Sequence, residues 1–139
     1  MENQVTNESR QRLMKTLGEY GCYFLSVVKV AEEITGKRID AVEAFCRFRD
    51  KKYLDEEATM LNPDGILSEL TGKKFSVHRE TADYKTAKNE HEILLFANGK
   101  YQHFVLGNGK GEVVYDPLGK SNTVANGSLI AKRIFTPVA

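Results

Sequence analysis

Cysteine is scarce in this chain, long apolar runs are missing, and neither charge sign prevails. Cys22 and Cys46 are the two cysteines among 139 residues, too few for a disulfide scaffold. A single bridge between them stays open, with no spacing pattern behind it. No stretch approaches the roughly 20 apolar residues of a bilayer span. Residues 1–16 are polar and carry both charge signs, without the apolar segment of a secretory signal. The 20 basic and 19 acidic residues leave a formal net charge of +1, so no global field directs the chain to nucleic acid or an anionic membrane. Internal repeats and low-complexity segments are absent. The expectation is one reduced, cytoplasmic domain over residues 1–139, with residues 1–6 a flexible N-terminus. Nucleic-acid and membrane partners are not expected, and the oligomeric state stays open.

What is present is an ordinary globular balance, 41% apolar and 28% charged, enough to bury a core without metal or disulfides. The first half reads helical. Residues 7–17 form a short helix that Gly18 ends. Residues 22–34 are apolar on more than one face until Lys29, the mark of a central, buried helix, and Gly36 suits its left-handed C-cap. Asp40 is placed to cap a helix over residues 41–51, with Glu43 three positions on. Asn62, Pro63 and Asp64 open another helix, stopped at Thr71 and Gly72.

The period then changes. Phe75 and Val77 alternate as a short strand, and residues 81–90 are a polar loop. The runs 93–96 and 101–106 join through Asn98-Gly99, a hairpin signal. Residues 108–111 make a second turn before the strand 112–116, which Pro117 ends, and a last strand spans about 129–135. Helices first and a mostly antiparallel sheet second make an α+β fold.

Three residues stand out chemically. Cys22 follows Gly21 at the start of the most apolar helix. Unpaired N–H groups and the partial positive charge of a helix N-terminus favour a thiolate and can bind an oxyanion. Gly21 leaves room there for a substrate backbone. His103 lies on a strand where Tyr101, His103 and Val105 share one face, within reach of a base's role toward a thiol. Asp116 ends the following strand, and a hairpin register sets it beside His103 to orient the ring. Each also has an ordinary explanation, as a packed cysteine, a histidine satisfied by a carbonyl, and a turn-opening Asp-Pro.

Order and context join them. The segment Tyr20-Gly21-Cys22-Tyr23-Phe24-Leu25-Ser26-Val27-Val28 resembles the opening of phage- and bacterium-associated domains similar to the C39-type peptidases. Gln102-His103-Phe104-Val105 and Val114-Tyr115-Asp116-Pro117 resemble the His and Asp motifs of the same papain-like cysteine-peptidase superfamily. The resemblance implies a papain-like fold and hydrolysis of an amide or peptide without metal or cofactor. Cys22 would be the nucleophile, His103 the general base and Asp116 the orienting acid, with a peptide or protein as substrate. The stretch 15–21 lacks the glutamine that such enzymes place ahead of the cysteine, and Tyr23 stands where the C39 type tends to have glycine. The alternative is a catalytically silent domain of this kind that binds a protein or peptide partner. An acyltransferase would use the same three residues.

The remaining candidates have plainer readings. His78 and His91, with the cysteines and His103, show no close Cys-x-x-Cys or His-x-x-x-His pair, so zinc is not expected. Residues 107–111 are glycine-rich between two strands, without the following helix of a phosphate loop.

Overall fold

The structure is a computed structural model and describes residues 7–138; the expected flexible N-terminus, residues 1–6, lies outside them. Among the described residues there are five helices: α1 (Asn7–Tyr20), α2 (Cys22–Thr35), α3 (Ala41–Asp50), α4 (Pro63–Thr71) and α5 (Asn122–Asn126). Five strands form one sheet: β1 (Phe75–Thr81), β2 (His91–Asn98), β3 (Tyr101–Gly107), β4 (Val113–Tyr115) and β5 (Ser128–Pro137). The α+β class expected from the order of elements is the class observed. None of the helices is long and apolar enough to cross a membrane.

Local chemistry sets most helix ends. The Asp40 carboxylate accepts from the N–H groups of Val42 and Glu43 at 3.0 and 3.2 Å. It also accepts from Arg10 at 2.9 Å, which ties the start of α3 to α1. Asn62 caps α4 through the Gly65 N–H. Gly36 and Gly72 end α2 and α4 at φ of 70° and 75°, where a Cβ would be strained.

The first helix departs from expectation. Gly18 does not stop it, and α1 continues to Tyr20. Glycine inside a helix costs only about 1 kcal/mol, which flanking packing can offset. The glycine that shapes the chain is Gly21, between α1 and α2. A Cβ there would meet the Leu17 carbonyl oxygen at 2.7 Å. Its bare backbone therefore serves a tight junction within the chain, and the room expected for a substrate is filled by Leu17.

The sheet order is β1-β5-β2-β3-β4, antiparallel throughout. The last strand thus lies between β1 and β2. Alternation turns Phe75, Ile93, Phe104, Leu106 and Phe135 toward the helices, where they join Phe24, Val27, Phe45, Phe48, Ile66 and Leu67 in one core. A fully buried aromatic or leucine side chain contributes roughly 1.5–3 kcal/mol. α2 packs between α4 and β3, so its first residue sits against the sheet.

The opposite face is also covered. Leu94, Val105 and Ile134 are fully buried there, with α5 packed on β2. The same face holds a charged pair, Glu92 at 1% exposure and Lys132 at 3%, 2.9 Å apart. Lys132 also donates to the Tyr84 carbonyl at 2.8 Å. Glu92 accepts from the Thr86 hydroxyl at 2.6 Å and from the N–H groups of Gly109 and Gly111, both at 2.8 Å. One carboxylate therefore fastens both the loop before β2 and the turn between β3 and β4.

Candidate active site

Gly21 is the N-cap of α2, and no side chain caps that helix. Its leading N–H groups, starting at Cys22, have no intrahelical acceptors. The Cys22 sulfur is half-buried and accepts from the Phe104 N–H at 3.4 Å. That contact follows from the shortness of β4, which pairs with β3 only at Leu106 and Gly107. The first half of β3 is left open on that side, and the thiol occupies the opening.

Next to Phe104, His103 is 5% exposed. Its Nε2 lies 2.6 Å from Asp116 Oδ1. Burial of the ring opposes its charge, but hydrogen bonding and charge from Cys22 and Asp116 outweigh it and raise the ring's pKa above the ordinary 6.5. Burial likewise opposes ionisation of Asp116. Bonds from His103, the Leu118 N–H and the Ser121 hydroxyl prevail and hold its pKa below the ordinary 3.8. The Leu118 N–H donates to Oδ1 at 2.8 Å and the Ser121 hydroxyl to Oδ2 at 2.9 Å.

The linkage of these shifts to stability has a definite sign. A histidine whose folded pKa is raised stabilises the fold while protonated. That contribution is complete below the unfolded value and disappears as pH rises through the folded one. Asp116, shifted down, contributes above its unfolded value and loses the contribution as pH falls through the folded one. The pair is therefore worth most in mildly acidic solution. We expect His103→Gln to destabilise the protein more at about pH 5.5 than at about pH 9 in urea unfolding; an equal loss at both would contradict the charged pair.

The three residues singled out from the sequence, Cys22, His103 and Asp116, thus meet at one place. Ser121 was missed. It fixes the second Asp116 oxygen and caps α5 through the Val124 N–H; its one signal in the sequence is a serine placed to start a helix of only five residues. Cys46 lies elsewhere, on α3, lining a groove with Leu13 and Thr16 of α1, and both cysteines are free thiols. His78 lies 3.4 Å from Glu80, and His91 meets the Phe75 ring edge-on. Among the described residues no three His, Cys, Asp or Glu side chains are grouped to hold a metal ion.

An open groove of about 500 Å³ begins at Cys22. Tyr20, Tyr23, Met60 and Phe104 supply its apolar lining, and Gln102, Arg79 and Arg133 polar groups. Tyr23 stacks on Phe104 with ring centres 4.4 Å apart. Burial pushes the Tyr23 phenol well above its ordinary value, with Arg133 and Arg79 acting against that.

Fold and site together define an α+β protein with a thiol on a groove and a buried imidazole–carboxylate pair beside it. The chain belongs to the family described as "Protein of unknown function, DUF261", which it matches over residues 3–137. Searches of curated proteins and of solved structures return no match.

Proposed function

We propose that this protein is a papain-like cysteine hydrolase that cleaves an amide or peptide bond with Cys22, His103 and Asp116. The observation that carries this reading is a buried imidazole–carboxylate pair next to the thiol: Asp116 lies 2.6 Å from His103 Nε2, and the N–H of the following residue, Phe104, donates to the Cys22 sulfur at 3.4 Å. A neutral ring with its proton on Nε2 donates to Asp116, which leaves the Nδ1 lone pair for the thiol. His103 then takes the sulfur's proton as the carbon–sulfur bond forms, and the carbonyl electrons move to oxygen. N–H groups at the uncapped start of α2 receive that oxyanion. Collapse of the intermediate breaks the carbon–nitrogen bond, with His103 returning its proton to the leaving amine. Water, deprotonated by His103, hydrolyses the thioester and frees Cys22. The resemblance of the Cys, His and Asp segments to the C39-type peptidases supports the same roles.

Iodoacetamide tests this at neutral pH. A free thiol is only a few per cent ionised there, so Cys22 should be alkylated on the order of tenfold faster than Cys46, read by peptide mass spectrometry. Labelling of Cys22 only in denaturant would remove the hydrolase reading. The second reading, a domain that binds a peptide without turnover, is favoured by the missing glutamine in residues 15–21. It requires that Cys22→Ser leave partner binding intact.

A further inference from the structure

Arg79 and Arg133 face each other directly across β1 and β5. Like charges opposite one another destabilise a sheet, so this pairing works against the fold. Some cations elsewhere are matched, Arg10 by Asp40, Arg47 and Lys51 by Glu69, Lys132 by Glu92, but none of these lies on the groove at Cys22. Among the described residues neither Arg79 nor Arg133 is in a salt bridge. Both line the groove that begins at Cys22. Of the acidic residues on that groove, Glu19 lies 3.9 Å from Lys15, and Glu57 is exposed on the rim.

The Arg133 guanidinium is also held in place. It lies over the Phe104 ring at 5.4 Å, and that ring is stacked on Tyr23. Among the described residues its one direct hydrogen bond, Nη1 to the Lys132 carbonyl, is long at 3.4 Å. A planar fork of donors fixed against an aromatic face is suited to a carboxylate, which it can bind through two parallel bonds.

We propose that Arg79 and Arg133 form an anion-recognition subsite, so that the substrate carries a carboxylate next to the acyl group attacked by Cys22. This deepens the hydrolase reading and rests on it. One groove of about 500 Å³ holds both the thiol and the guanidinium groups, so the carboxylate and the scissile bond belong to the same or adjacent residues of the substrate. An acidic side chain and a free C-terminal carboxylate share this chemistry.

Two alkylating agents that differ in one group test the subsite without a known substrate. Iodoacetate and iodoacetamide both form a carbon–sulfur bond as iodide leaves, but only the first carries a carboxylate. The ratio of their rates at Cys22 should fall roughly tenfold in Arg79→Gln/Arg133→Gln, the low end of charge focusing on association. The wild-type ratio should fall toward the variant's as salt is raised. Arg79→Gln alone changes an exposed side chain and should show part of the drop even if the Arg133 change impairs folding. Fast iodoacetamide labelling with an unchanged ratio would overturn the subsite and leave the hydrolase standing; no native labelling by either reagent would overturn both. Protection of Cys22 against iodoacetamide separates the sources. N-acetylglutamic α-amide offers a side-chain carboxylate, N-acetylalanine a terminal one, and N-acetylalaninamide is the neutral reference. Protection by either acid above the reference supports the subsite and identifies its source; protection by neither refutes it.

Discussion

His103→Gln should slow acylation of Cys22 by p-nitrophenyl acetate about 100-fold, the lower end of what a positioned base contributes. Glutamine is close to histidine in size and can still donate to Asp116, so the change removes the proton acceptor at the thiol with little loss of packing. Release of p-nitrophenol in a stopped-flow burst reads the step directly. Cys22→Ala should abolish the burst, which assigns it to this sulfur and not to Cys46. Asp116→Asn should also slow the burst, because the amide neither holds the ring's tautomer nor stabilises the imidazolium. An undiminished burst in His103→Gln would show that the ring lies beside the thiol without serving it.

Lys132→Met should cost about 3–5 kcal/mol of folding free energy, the usual loss when one partner of a buried ion pair is removed. Methionine fills much of the lysine's volume, so the loss reports the Glu92 charge left at 1% exposure. Glu92→Leu should cost more still. It strands Lys132 and also the N–H groups of Gly109 and Gly111 and the Thr86 hydroxyl, which Glu92 accepts from. Urea midpoints for the two variants and wild type give the comparison. A loss below about 1 kcal/mol, typical of an exposed pair, would mean that the pair is solvated. The consequence reaches the site, since the turn that Glu92 fastens leads through β4 to Asp116.

The parts of this architecture written in short stretches of chain were legible. Asp40, Asn62, Gly36 and Gly72 mark helix ends because a cap is a contact between near neighbours. His103 and Asp116 were brought together by counting outward from the turn at residues 108–111, and Cys22 by its place at a helix start. What escaped depends on distant partners. Gly18 and Gly21 are alike as letters, and only the approach of Leu17 shows which is obligatory. Glu92 and Lys132 are separated by 40 positions, and each reads alone as a surface charge. Only the neighbouring apolar run 93–96 hinted that Glu92 points inward. Ser121 and α5 went unread because five residues show no helical period. The Arg79–Arg133 opposition requires knowing that β5 lies beside β1, which strand patterns do not reveal.

That placement governs assembly as well. β1 and β2 are neighbours in the chain, yet neither pairs with the other; both close on residues 128–137. During synthesis the helices and the β2–β3 hairpin can form from local contacts, while the joining of β1 to β2 waits for β5, which follows both in the chain. Contacts spanning such separations fold slowly. A chain halted before Ser128 would carry Cys22, His103 and Asp116 but leave β1 and β2 as two unjoined edges with no Arg133 beside them, so the proposed site would be complete only with the ten-residue strand β5.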